Sequence, residues 1–259
     1  MRADEVAAPE AAGATDLLEL ADALRPLAEQ VRDDDGRPAL EQLVRIAVGR
    51  VPGATSASLV VRRGPRFTTE ASTDDAAAQA DRLQFHLGSG PCVDGASEGS
   101  VCVTGDVATD ERWPRWGPAV CAGLGVLSVL SQRLTLLDDS DAVAALNIYS
   151  GAPHAFGPKA VAMGLVLSSH GSLVVTAMLA RDRASNLVRA LESNREVGVA
   201  MGILMQRHSI SREAAFDVLR RASQDSNRKL AAVASDVADT GILAVGDPAL
   251  PVPDARPRC

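Results

Sequence analysis

Residues 197–243 read VGVAMGILMQRHSISREAAFDVLRRASQDSNRKLAAVASDVADTGIL, three helical patterns so closely spaced that they form one small bundle. The first is the end of a helix through Met201, Ile203, Leu204 and Met205. Ser211, followed by Arg212, Glu213 and Ala214, has the form of a plain N-cap, and Ala215, Val218, Leu219 and Ala222 then recur at helical spacing. After the polar stretch Ser223 to Ser226, a third helix places Leu230, Val233, Ala234 and Val237 on one face before Gly241 ends it. Three apolar stripes predict one core.

The other faces carry the chemistry. Arg212, Phe216 and Arg220 stand at i, i+4 and i+8 on the second helix, and Asn227, Arg228 and Lys229 are expected to open the third, where backbone N–H groups face outward. An aromatic ring flanked by guanidinium, amide and hydroxyl groups suits unstacked RNA bases and their phosphates. A lone Phe in so small a bundle is more often core, however, and scattered Arg residues are usually a solvated face. Spacing alone favours that blander reading.

The run as a whole resembles an ANTAR domain, through Ala200-Met201-Gly202-Ile203-Leu204-Met205, Ala214-Ala215-Phe216, Leu219-Arg220, Ser223 and Asn227-Arg228-Lys229-Leu230. The resemblance implies an RNA-binding three-helix module of bacterial regulators that holds paired hairpin loops in leader transcripts and promotes antitermination of transcription. The RNA-contacting residues it implies are Arg212, Phe216, Arg220, Ser223, Asn227, Arg228 and Lys229. The chain departs from the family at Met201, where many members carry Lys or another polar residue.

The 259 residues allow one to two domains, and an aromatic content of 3% means that the core is built from Ala, Val and Leu. The net charge of −7 argues against generic, charge-driven binding to nucleic acid. The charge is uneven, with 10 Lys+Arg against 8 Asp+Glu over 181–243 and 14 against 23 over 1–180. A module of charge +2 binds RNA only through a few well-placed contacts, and dimerisation would double them. No stretch is apolar without interruption over the length of a membrane span, and MRADEVAAPEAAGATD lacks the features of a signal peptide, so a cytoplasmic location is expected.

Upstream, residues 17–31 and 40–51 have helical spacing, with Pro26 bending the first. Strands are expected at 56–61, 66–71, 101–104, 126–137 and 142–149, with a helix over 74–85. The expected fold class is therefore α+β: an antiparallel sheet with flanking helices, a long linker helix and the C-terminal bundle. Segments 1–15 and 244–259 lack periodicity and are expected to be mobile; the domains between them are 16–156, 157–184 and 185–243.

LGSGPCVDGASEGSVCVTGDVATDERWPRWGPAV, with Ala145-Leu146-Asn147-Ile148-Tyr149, resembles a GAF domain over roughly 40–155. That resemblance implies a small-ligand sensor, with Arg112-Trp113-Pro114-Arg115-Trp116 in a loop closing one end. Trp113 and Trp116 line such a cavity or simply pack the lid onto the sheet. The placing of Cys92, Cys102 and Cys121 is similar to that of free methionine-(R)-sulfoxide reductases, GAF-like enzymes, which makes these thiols candidates for sensing or catalysis. Those enzymes carry acidic residues on the last strand, where this chain has Asn147 and Tyr149, so catalysis is disfavoured and no enzyme is expected. No metal-ligand spacing or nucleotide loop is present, so neither metal nor cofactor is expected. A DNA-binding factor using the second and third bundle helices is a further rival, and a purely protein-binding adaptor, which would leave all nucleic acid unbound, is another.

From Gly157-Pro158 to Gln206 no proline intervenes. Positions 166, 170, 173, 177, 180, 184, 187, 191, 194, 198, 201 and 205 follow a heptad rhythm, with Asn194 as a polar register position. This predicts a signalling helix that pairs with a second chain. The alternative is a helix broken near Gly171-Ser172 or Ser185, each half packing on its own domain.

Overall fold

The computed structural model describes residues 18–27, 36–98, 101–137 and 142–243. The segments 1–15 and 244–259, expected to be mobile, lie outside the described residues, as do residues 17 and 28–31 of the first expected helix. The chain divides into two compact units, Met1–Arg181 and Asp182–Cys259.

In the N-terminal unit, helices α1 (18–27) and α2 (Arg37–Arg50) precede the hairpin β1 (Ser56–Arg63) and β2 (Arg66–Ser72). Then follow α3 (Asp75–Leu87), α4 (Pro91–Glu98), β3 (Val101–Thr104), α5 (Trp116–Leu124), β4 (Ser128–Leu134), β5 (Val143–Ser150) and the start of α6 (Pro158–His208). The five strands form one antiparallel sheet in the order β2-β1-β5-β4-β3, with Ser58 opposite Asn147 and Asn147 opposite Ser131. The strand expected over 126–137 is shorter, Ser128–Leu134.

Strands β1 and β5 are buried along nearly their whole length, because helices cover both faces of the sheet. On one face Leu59, Val61, Leu134, Leu146 and Ile148 meet Leu40 and Leu43 of α2 and Leu167, Val174 and Val175 of α6. On the other, Val129 and Tyr149 meet Ala77 and Ala80 of α3 and Trp116 and Val120 of α5. Gln132 clamps α6 to β4: its Nε2 donates to the Val161 carbonyl at 2.9 Å, and its Oε1 accepts from Ser168 at 3.1 Å.

Helix α6 is continuous through Gly171 and Ser185, so the predicted alternative of a break there is not what forms. One 18-residue window of α6 reaches a mean hydropathy of 1.6, apolar enough in length and composition for a bilayer. Half of that window is buried, consistent with the Leu167-Val174-Val175 face that covers the sheet.

The C-terminal unit contains the end of α6, α7 (Arg212–Ser226) and α8 (Leu230–Thr240). Ser211 caps α7 by accepting from Ala214 N at 3.2 Å, and Gly241 ends α8 in the left-handed region at φ 71°. Ala200, Leu204, Ala215, Val218, Leu219, Ala222, Val233, Ala234 and Val237 form the core predicted from periodicity. Met201 packs partly buried against it.

Candidate functional sites

The N-terminal unit buries a polar network that the sequence did not announce. Asp81 of α3 is fully buried and accepts from Tyr149 Oη at 2.7 Å, Asn147 Nδ2 at 3.0 Å and Thr69 Oγ1 at 2.9 Å. Ser131 donates to Asn147 Oδ1 at 2.7 Å, and Cys92 N donates to Gln84 Oε1 at 2.8 Å. Burial raises the Asp81 carboxyl to about 6 despite these donors, whose hydrogen bonds pull it down.

Of the five sensor candidates, Cys92 is buried beside this network, and desolvation, with the Asp81 charge next, pushes its thiol up to about 12. Burial also raises the Cys102 thiol, although Arg112 approaches it at 3.5 Å. Neither thiol is held as a thiolate, the form a redox nucleophile needs. Trp113 and Trp116 are 3% and 1% exposed and meet edge to face within the core, so they pack the lid rather than line an opening. Cys121 is half-buried against the same cluster. The loop expected to hold Trp116 is shorter than predicted, because Trp116 opens α5 and donates its indole N–H to the Ala80 carbonyl at 3.1 Å. A groove of 410 Å³ between α3 and α5 is lined by Arg82, Leu83, His86, Ala119 and Leu124, and by none of the five candidates.

In the C-terminal unit, Arg212, Phe216 and Arg220 are all exposed on α7. Each four-residue step turns the helix by about 40°, which keeps the three on one stripe, with Ser223 between them. Phe216 is 39% exposed and takes no part in the core.

The turn after α7 corrects the sequence expectation. Asn227 does not open the third helix but ends the second, as a left-handed C-cap at φ 50°, a conformation Asn tolerates better than most residues. Lys229 is the N-cap of α8, without a side-chain cap bond, and the helix begins at Leu230. Ser223 Oγ donates to the Arg228 carbonyl at 2.6 Å and so fixes the turn that carries Arg228 and Lys229. Two of the cations are held internally: Arg220 pairs with Asp217 at 2.9 Å and Arg228 with Asp236 at 2.6 Å.

The family model of the ANTAR domain matches residues 185–237, which contain the whole of α7 and most of α8. This segment is an ANTAR domain. The ANTAR match takes in Met201 and all seven residues of the stripe and turn. No curated protein is found to match the chain.

Among solved structures, the chain is similar to the GAF domain of a phosphoenolpyruvate-protein phosphotransferase from Coxiella burnetii, 17% identical over 66% of this chain and 98% of that one, TM-score 0.49. It is similar to the GAF domain of a putative sensor histidine kinase from Pseudomonas syringae pv. tomato, 13% identical over 72% and 99%, TM-score 0.48. It is also similar to free methionine-R-sulfoxide reductase from Neisseria meningitidis, 13% identical over 62% and 91%, TM-score 0.47. The antiparallel sheet with its flanking helices precedes the ANTAR segment in the chain.

Sequence reasoning missed Asp81, Gln84, Thr69, Ser58 and Ser131. The available signal was Asp81 and Gln84 at i and i+3 among Ala77 and Ala80, on a helix face that otherwise reads as apolar.

Proposed function

We propose that this chain is a transcription regulator whose ANTAR module binds RNA hairpin loops and promotes antitermination, under control of the GAF-like unit. The nucleotides contact Arg212, Phe216, Arg220, Ser223, Asn227, Arg228 and Lys229. The reading rests on Phe216. It is the one aromatic residue in 182–243, yet it stands outside the aliphatic core and is 39% exposed. That exposure forfeits part of the roughly 1.5–3 kcal/mol that full burial of a Phe contributes. A ring set between Arg212 and Arg220 is accounted for by stacking on a base, with the cations on adjacent phosphates. The location that fits is the cytoplasm, where transcripts are made, and the role is gene control rather than catalysis.

Phe216→Ala is expected to weaken hairpin binding by about tenfold to a hundredfold, in line with about 1–3 kcal/mol per stacked base. The probe is a tandem-hairpin RNA with randomised loops, enriched on the wild-type chain and followed by gel shift. Because the ring lies outside the core, thermal unfolding stays unchanged. Unaltered affinity removes the assignment, and duplex DNA that competes as well as the hairpins replaces it with DNA binding.

The module works as a dimer through α6. Leu187 and Leu191 are 62% and 60% exposed and with exposed Ala180 and Ala184 continue the heptad rhythm, and Val188 beside them is 52% exposed. The predicted positions Val166 and His170 are half-buried against their own unit, so the free seam lies C-terminal to them. Leu187→Glu with Leu191→Glu is expected to raise the dimer dissociation constant at least about tenfold, by placing like charges in the seam. Sedimentation velocity reads it, and a wild-type chain that sediments as a monomer at high concentration refutes the pairing.

A further inference from the structure

The basic side chains of the RNA face are not equally available. Arg212 and Lys229 have no ion-pair partner among the described residues. Arg220 is held by Asp217, one turn earlier on α7, and Arg228 by Asp236 on α8. The four side chains in these pairs are 42–57% exposed. At that exposure an ion pair contributes at most about 1 kcal/mol to folding, so stability is a poor account of them. What they do change is what each guanidinium offers to solvent. Each carboxylate places one oxygen on one nitrogen of the guanidinium, taking part of the fork of N–H donors that would otherwise meet two oxygens of a phosphate.

The geometry points to Asp217 and Asp236 as built-in competitors for the RNA backbone, which set the specificity of the module by occupying two of its phosphate-binding arginines until RNA displaces them. This deepens the RNA reading above and rests on it. The chain must reject the large excess of unrelated RNA, and a face of free cations binds any phosphate backbone. With two arginines occupied, a strand that offers only phosphates gains little, because each new contact breaks an existing one. A hairpin loop that also stacks a base on Phe216 and reaches Lys229 and Arg212 has interactions to spare for the displacement. Discrimination then comes from a penalty on the wrong ligand as much as from attraction to the right one.

The test is Asp217→Asn with Asp236→Asn in the full chain, which keeps side-chain size and removes the competing charges. The probes are the enriched tandem-hairpin RNA and oligouridylate. At about 0.15 M salt, hairpin binding is expected to tighten about tenfold. The dependence of log affinity on log salt steepens, because in the wild-type chain the displaced carboxylates take up cations and offset part of the counterion release from the phosphates. Oligouridylate gains at least as much, so discrimination narrows. The control is Asp225→Asn with Asp239→Asn, which removes two charges from the same module but from aspartates without an ion pair among the described residues. It gains less than about threefold and keeps the wild-type salt slope, since it adds no phosphate contact.

Equal gains in the two double variants reduce the effect to net charge and overturn the inference. Weaker binding by Asp217→Asn/Asp236→Asn overturns it as well, because the aspartates then position the arginines rather than compete for them. Circular dichroism of each single variant separates either result from unfolding. A wild-type chain that enriches no hairpin removes the RNA reading and this inference together. Wild-type binding that Phe216→Ala weakens but the Asp→Asn changes leave unmoved sinks the inference alone.

Discussion

Gly117→Ala is expected to cost the N-terminal unit about 4 kcal/mol, a large part of the roughly 5–15 kcal/mol that holds a domain together. Gly117 lies buried in α5, and a Cβ there would come within 1.7 Å of the Val107 carbonyl oxygen and 2.8 Å of its carbon. Both atoms are backbone, and Val107 is itself tied down by its N–H to the Leu127 carbonyl at 2.9 Å. Relief requires α5 to move away, and α5 carries Trp116 and Val120 in the core and the indole bond to Ala80. Overpacking alone costs typically about 1–3 kcal/mol, and the lost hydrogen bond about 1 more. Gly123, on the same helix, has nothing within 4 Å of its Cβ position, so Gly123→Ala gains about 0.5–1 kcal/mol of helix propensity. The chain's two Trp residues both lie in this unit, so denaturant unfolding followed by Trp fluorescence reports it without the ANTAR module. A Gly117→Ala midpoint within error of wild type would show that α5 has slack that the close approach to Val107 denies.

The same helix marks where sequence reading stopped. The bundle was legible because its apolar spacing, the Ser211 cap and the Gly241 stop are local signals that agree with one another. The strands were legible from alternation and β-branched content. α5 was not, since WPRWGPAVCAGLG is rich in Pro and Gly; it is a helix because Trp116 and Val120 seat on the sheet. Asn227 went to the wrong helix, because a left-handed cap is decided by how α7 and α8 meet across the Ser223–Arg228 bond, thirteen and more residues into the pattern. The buried network was hidden for a different reason. Polar residues alternating along a strand read as a solvated face, but helices on both sides of this sheet turn Ser58, Ser131 and Asn147 into an interior one.

That interior holds the Asp81 carboxylate among neutral partners, and its charge has a measurable consequence. Asp81 titrates at about 6 in the folded protein against 3.8 ordinarily, so the folded state binds more protons than the unfolded state between those values. Stability therefore falls as pH rises from about 3.8 to about 6, and above 6 the full penalty is present, on the order of 3 kcal/mol. Acidifying from pH 7 toward 4.5 recovers most of it. Asp110 works in the opposite sense and elsewhere: the Arg112 hydrogen bond lowers it to about 2, so its contribution is lost only as pH falls below 3.8. Asp81→Asn removes the charge while leaving an oxygen to accept from Tyr149 and Asn147 and an amide to donate to Thr69 Oγ1. The variant is expected to be about 2–3 kcal/mol more stable than wild type at pH 7, a margin that shrinks to about 1 kcal/mol at pH 4.5. Urea denaturation of both proteins across that range, again read by Trp fluorescence, gives the difference directly. A gap that does not change with pH would mean that Asp81 is protonated at pH 7 or hydrated. The residue ties α3 to β1, β2 and β5 through Ser58, Thr69, Asn147 and Tyr149, so the charge that weakens this face couples the packing of α3 on the sheet to pH.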